Sequence, residues 1–210
     1  MLQHVYERAS EARKVHKIII ATDDERIREA AAKFGADVRM TRSDHLSGTD
    51  RVAEVAASED HDIIVNIQGD EPLIDPAAID LAIDALGDAP MSTLKKRIEE
   101  PSEITNPNVV KVVSGLDNYA VYFSRSPIPY NRGGEVDYFK HIGLYVYRRD
   151  FLLSYSSLPV GPLELAERLE QLRALENGHK IRVAETMYES LGVDTPEDLE
   201  RVKGMFGGGA

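Results

Sequence analysis

The run Asp62-Ile63-Ile64-Val65-Asn66-Ile67-Gln68-Gly69-Asp70-Glu71-Pro72 decides how the rest of the chain is read. Its unbroken apolar centre is the pattern of a parallel strand covered on both faces, and Gly69 lets the backbone turn sharply at its end. Upstream, Leu2, Val5, Ala9 and Ala12 recur at helical spacing, 17–22 is rich in strand formers, and Ile27, Ala30, Ala31 and Phe34 mark a helix that stops at Gly35. Segment 36–41 reads as a strand, 49–58 as a helix and 77–86 as another helix. Short strands alternating with helices predict an α/β sheet with right-handed crossovers. The middle of the chain departs from this rhythm. Segments 109–113 and 119–124 flank a Ser-Gly-Leu-Asp-Asn turn and predict an antiparallel hairpin, followed by a strand over 139–147. In that strand Ile142, Leu144 and Val146 alternate with His141, Gly143, Tyr145 and Tyr147. A helix over 163–177, with Leu165, Leu169 and Leu172 as its buried stripe, a strand over 180–186 and a helix over 196–206 complete the pattern.

The chain has 210 residues, a net charge of −11 and no cysteine. One domain fits this length, and 42% hydrophobic residues suffice for a core. The acidic surface repels phosphate backbones, so a nucleic-acid partner is not expected. Without cysteine, disulfides, thiolate zinc sites and cysteine nucleophiles are excluded. The longest apolar runs, such as Ile18-Ile19-Ile20, fall far short of the ~20 residues of a spanning helix. No signal peptide is visible, so a cytoplasmic location without membrane insertion is expected.

The leading chemical candidate is Asp70, at the carboxyl end of the central strand, where open α/β sheets bind ligands. A carboxylate there suits Mg²⁺, which takes hard oxygen ligands with few from protein; the tetrad Gly69-Asp70-Glu71-Pro72 alone reads better as a simple turn. Asp194 stands just outside a well-made helix start, Thr195-Pro196-Glu197-Asp198. The polar loop leading into Ser47, Gly48, Thr49 and Arg51 opens a helix, which suits either a phosphate or ordinary capping. His141 and Tyr145 share one strand face. Arg125 and Arg132 bracket a proline-rich stretch, as carboxylate clamps or surface charges, and Glu170 and Gln171 lie off the leucine stripe, where solvent is the default. No Walker loop, Ser-His-Asp order or His-x-x-x-His pair is present.

Taken in order, Ser47-Gly48-Thr49-Asp50-Arg51, 66–72, Asn106-Pro107-Asn108-Val109-Val110-Lys111, 123–130, Lys140-His141-Ile142-Gly143-Leu144-Tyr145, Leu169-Glu170-Gln171-Leu172-Arg173 and 192–199 resemble one family, the 3-deoxy-manno-octulosonate (KDO) cytidylyltransferases or CMP-KDO synthetases. Each segment is weak; the ordered set, from His4 to about Val202, is specific. The resemblance implies a Rossmann-like nucleotidyltransferase sheet with helices on both faces and a smaller mixed or antiparallel lobe. Its implied organisation is one domain, with 1–90 and 160–206 binding nucleotide, 91–159 serving sugar binding and dimerisation, and 207–210 as a tail. It implies that CTP and KDO give CMP-KDO and pyrophosphate for lipopolysaccharide synthesis, that Asp70 and Asp194 are catalytic ligands of Mg²⁺, and that Ser47, Gly48, Thr49 and Arg51 line the nucleotide. Gln68, Arg132, His141, Tyr145, Glu170 and Gln171 would surround the sugar, with Arg125 a more marginal member. A homodimer is implied, with the hairpin and 139–153 as its contact. Family members also carry a strand and a basic Gly-Lys loop ahead of the first helix here, so weak activity and reduced stability are expected of this chain. A cytidylyltransferase for another acidic sugar such as sialic acid, a metal-dependent glycosyltransferase and a non-catalytic nucleotide-sugar binding protein are the rival readings.

Overall fold

A computed structural model describes residues 1–45, 47–193 and 195–207, with residues 206 and 207 described by backbone only. Helix α1 (Leu2–Ser10) buries Val5 and Ala9 on the face its spacing marks. Strand β1 (Ile19–Thr22) leads into α2 (Glu25–Ala32), whose first turn is capped by the Asp24 carboxylate accepting from Arg26 N–H. The helix is followed by Gly35 at φ +76°, a conformation costly to any residue with a Cβ. Strand β2 (Asp37–Met40) returns parallel to β1. Helix α3 (Gly48–Ala57), capped by Ser47, precedes β3 (Ile63–Asn66), and α4 (Pro76–Leu86) starts on an Asp75 cap with proline at its first position.

The next strand is absent from the sequence pattern. β4 (Met91–Arg97) reads Met-Ser-Thr-Leu-Lys-Lys-Arg, yet Met91 to Leu94 are wholly buried at the centre of the main sheet. Its polar groups find partners on other elements: Ser92 Oγ donates to the Ala82 carbonyl at 2.7 Å, and Lys95 Nζ to Ser114 Oγ at 2.8 Å. Short α5 (Pro101–Thr105) leads to the predicted hairpin, β5 (Lys111–Ser114) against β6 (Ala120–Ser124). β7 (Phe139–Arg148) is followed at once by α6 (Arg149–Tyr155), an element the periodicity did not show.

The predicted helix over 163–177 is two helices, α7 (Pro162–Glu167) and α8 (Leu172–Glu176). Arg168 adopts a left-handed conformation (φ 52°) and breaks the run. Leu169 and Leu172 stay in the core, but Leu165 is 67% exposed. The break is held by Glu176, which accepts from the N–H groups of Leu163 and Glu164, and by the Arg173–Glu164 ion pair. β8 (Ile181–Glu185) and α9 (Pro196–Gly207) follow, and Thr195 and Asp198 exchange hydrogen bonds as the predicted capping box. The predicted tail at 208–210 lies outside the described residues.

Among the described residues six strands form the main sheet, in the order β6-β5-β7-β4-β8 with β3 also on β7. β4 runs antiparallel to β7 and parallel to β8. The other edge of β7 takes β5 near its start and β3 at its end, from Asn66 opposite Tyr145 to Ile63 opposite Arg148. This corrects the central expectation: β3 is antiparallel to its neighbour, and Ile63, Ile64 and Val65 are only partly covered. β1 and β2 form a separate two-stranded sheet.

One core cluster packs α1 and α4 against Ile142, Leu144 and Val146; the other packs α3, α6 and α8 against Tyr147, Met91 and Phe123. The alternation read along β7 therefore separates two cores. The segment 91–159 supplies β4, β5, β6 and β7 to the same sheet that carries β3 and β8.

Candidate functional site

Side chains from the N-terminus of α3, the end of β3, the polar face of β7 and the turn before α8 converge on one site. Ser47 caps α3 by accepting from Asp50 N–H, and its hydroxyl donates to Glu170 Oε1 at 3.0 Å. Thr49 Oγ1 donates to Glu170 Oε2 at 3.2 Å. Burial pushes the Glu170 carboxyl above the ordinary range, while the two hydroxyls pull it down. Solvent was the default for Glu170 and Gln171; instead the break at Arg168 turns both inward, and Gln171 is 4% exposed. The Tyr155 hydroxyl anchors this turn by donating to the Glu170 carbonyl at 2.6 Å.

The polar face of β7 continues the site. Ring centroids run from Tyr147 to Tyr145 at 6.1 Å and from Tyr145 to His141 at 5.3 Å. In a regular strand, residues four apart lie about 13 Å apart at ~3.3 Å per residue. The His141–Tyr145 approach is local to a bulge: Thr93 and Leu94, adjacent on β4, face Tyr145 and Ile142 on β7. Such bulges bend strands and re-aim side chains beside sites. The Thr93 hydroxyl sits in the irregularity, 3.0 and 2.8 Å from the carbonyls of Ile142 and Leu144 and 2.9 Å from His141 Nε2. Carbonyls only accept, so the hydroxyl proton serves them and Nε2 carries the hydrogen given to Thr93. Burial holds the imidazole down at about 3, neutral at pH 7, and pushes the Tyr145 phenol well up.

At the end of β3, the side chain of Gln68 lies against Gly48: a Cβ there would meet its amide at 3.6 Å. Asn66 is buried with its Nδ2 unpartnered, as are Gln171 Nε2 and Asp50 Oδ1. Buried donors and acceptors are normally satisfied, so these atoms mark where a polar ligand would be read. Asn66, Thr93 and Tyr147 were not named as site residues from the sequence; Asn66 opens the motif 66–72 and the alternation on β7 placed Tyr147 beside Tyr145, whereas nothing local marked Thr93.

The remaining candidates sit differently. Arg51 contacts Thr41 Oγ1 and pairs with Asp23 at 3.2 Å, which ties α3 to the end of β1. The Asp70 carbonyl accepts from Val193 N–H at 3.0 Å, so the loops before α4 and α9 meet. Next to it, Glu71 accepts from the hydroxyls of Tyr188 and Ser190 at 2.9 and 2.6 Å. Asp194 lies outside the described residues. Arg125 is drawn into structure: its backbone and side chain bond the carboxylate and carbonyl of Glu167 and the Pro107 carbonyl. Arg132 is exposed in the 125–138 loop.

Among the described residues no three metal-ligating side chains cluster, so an all-protein cage is not on offer there. No helix among the described residues is long and apolar enough to cross a membrane.

A family model described as cytidylyltransferase matches residues 1–181. A 3-deoxy-manno-octulosonate cytidylyltransferase of Solibacter usitatus is 70% identical over 211 residues, spanning 98% of this chain and 84% of the relative. One of Geobacter sulfurreducens is 55% identical over 96% of this chain and 87% of its own length. Among solved structures, CMP:2-keto-3-deoxy-manno-octonic acid synthetase complexed with CTP superposes with a TM-score of 0.94 at 44% identity, covering 98% of this chain and 87% of that one. At 13% identity, 4-diphosphocytidyl-2C-methyl-D-erythritol synthase from Anaerococcus prevotii shares the fold alone, with a TM-score of 0.65 over 98% of this chain and 88% of that one.

Proposed function

This chain belongs to the cytidylyltransferase family, among its 3-deoxy-manno-octulosonate members, and from that premise we propose that it transfers CMP from CTP to KDO and releases pyrophosphate. The anomeric oxygen of KDO forms a bond to the α-phosphorus, the bond from that phosphorus to the bridging oxygen breaks, and the hydroxyl proton leaves to solvent.

One observation carries the assignment of roles: Glu170 joins the two halves of the site through the hydroxyls of Ser47 and Thr49. The start of α3 offers backbone N–H groups and the positive end of the helix to an anion. Gly48 keeps that start free of a side chain. On the other side, His141 and Tyr145, with Gln68, Gln171 and the unpartnered Nδ2 of Asn66, offer a half-buried polar wall to the sugar. Arg51, occupied by Asp23, positions α3 more than it neutralises phosphate. Arg125 and Arg132 belong to the margin of the sugar side. Asp70 and Asp194 would hold Mg²⁺, a role supported by the Val193–Asp70 hydrogen bond that brings their loops together. When bound, the ion supplies the positive charge that lets a carboxylate sugar approach a triphosphate.

On this reading 1–90 and 160–206 are the nucleotide part and 91–159 the sugar-binding part of one domain. The chain works as a homodimer through the β5–β6 hairpin and 139–153, where Leu116, Val121 and Leu153 are exposed. Pyrophosphate release from CTP and KDO with Mg²⁺ tests the reaction. Asp70→Asn should lower it at least ~100-fold, the scale of several kcal/mol of charge stabilisation. An unchanged rate in that variant, or equal use of sialic acid, would overturn the assignment.

A further inference from the structure

The irregularity between β4 and β7 leaves Gly143 and Leu144 with no residue opposite them on β4. The hydroxyl of Thr93 stands in that interval, wholly buried, with two carbonyl oxygens and one imidazole nitrogen within 3.0 Å. A hydroxyl has one hydrogen to give and lone pairs to accept with. Given to His141 Nε2, that hydrogen would leave the hydroxyl oxygen facing the Ile142 and Leu144 carbonyls lone pair against lone pair, the kind of buried, unsatisfied contact that folded proteins avoid. Shared between the carbonyls, it leaves the hydroxyl oxygen as an acceptor for Nε2–H. Only the second arrangement pairs all four atoms.

The walls around the ring hold it in that orientation. Phe123, fully buried, makes a T-shaped contact with the His141 ring at 5.0 Å, and Tyr145 flanks the ring at 5.3 Å. Neutral at pH 7, the imidazole carries a single N–H. With that hydrogen on Nε2 and directed to Thr93, Nδ1 keeps a bare lone pair. Among the described residues no hydrogen bond ends on Nδ1, and His141 retains an exposed part through which a ligand reaches it.

We propose that Thr93 is a positioning residue that fixes His141 as its Nε2–H tautomer, so that Nδ1 faces the sugar site as a hydrogen-bond acceptor and reads a hydroxyl of the sugar instead of its carboxylate. An ionised carboxylate only accepts, and two acceptors repel, whereas a hydroxyl supplies the hydrogen that Nδ1 lacks. The sugar is oriented as a result: a hydroxylated edge meets β7, and its carboxylate lies toward other groups. This role rests on β7 being the sugar side of the site, as proposed above; the tautomer follows from the Thr93 contacts alone.

Nitrogen NMR of the full chain labelled at histidine reports which ring nitrogen holds the hydrogen, with no turnover required, and His141→Gln identifies the signal. At pH 7 Nε2 should be protonated and Nδ1 bare. Adding KDO should shift the Nδ1 signal, and acetate at the same concentration should not. Thr93→Val keeps the shape of the side chain but removes the acceptor, so it should mix the two tautomers. It should also raise KM for KDO about 10-fold, the scale of one hydrogen bond, with KM for CTP unchanged; Thr93→Ser should restore both. An Nδ1–H tautomer in a wild type that still releases pyrophosphate overturns the proposal and leaves the reaction assigned, whether or not the valine variant folds. The Nε2–H tautomer with neither pyrophosphate release nor an Nδ1 response to KDO overturns the sugar reading, and this role with it. A single unchanged tautomer in folded Thr93→Val also rejects the role of Thr93.

Discussion

The two faces of β7 are made by alternate residues of one ten-residue strand, and they serve opposite ends. Ile142, Leu144 and Val146 are at most 2% exposed and lie in an apolar core with residues of α1 and α4. His141, Tyr145 and Tyr147 look the other way, where each ring carries a polar atom that needs a partner. For His141 that partner comes from another element, the Thr93 hydroxyl on β4. The aliphatic face asks its surroundings for volume alone. The aromatic face asks for hydrogen bonds at set positions, and so it is the face on which specificity can be built.

The comparison breaks if both faces respond alike to substitution. Leu144→Ala should cost the most, about 2–5 kcal/mol of folding stability as lost burial plus a cavity, measured by urea unfolding, while turnover per folded molecule stays the same. A fall in turnover with no loss of stability would join the two faces. Next in size is a pH effect confined to the polar face. The folded imidazole of His141 titrates at about 3, below its ordinary 6.5. Its contribution to stability is therefore complete above pH 6.5 and declines as the pH falls toward 3, because the unfolded chain takes the proton first. Between pH 7 and pH 5 the loss should be about 2 kcal/mol, and His141→Gln should flatten that part of the stability curve. An imidazole NMR midpoint near 6.5 in the folded protein would contradict this. The smallest effect sharpens the comparison at its margin. Tyr155→Phe removes the hydroxyl that holds the Glu170 carbonyl and should cost about 0.5–1.5 kcal/mol, with a raised KM for KDO that Leu144→Ala does not show.

Local chemistry was legible. The Ser47 cap, the Thr195–Asp198 box and the stop at Gly35 depend on residues within a few positions of one another, and the structure has each of them. The alternation of β7 was legible because burial on each side follows a period of two. β4 was hidden because Ser92 and Lys95 find partners from α4 and β5, which no local pattern announces. The break at Arg168 was hidden for the same reason: a leucine stripe at helical spacing runs through it, and Glu176 and Arg173 stabilise the two-helix form from a distance.

Periodicity, caps and the ordered motifs thus determined from sequence an α/β chain of cytidylyltransferase type, with the turn after β3 and the polar face of β7 as its chemical surfaces. Only tertiary structure decided which side chains meet. Glu170 and Gln171 turn inward, Arg125 is absorbed by Glu167, and β3 pairs antiparallel with β7. Backbone propensity and amphipathic spacing act over a few residues, whereas the partner of a buried polar atom or a strand edge is chosen among groups brought together by the whole fold, far apart along the chain.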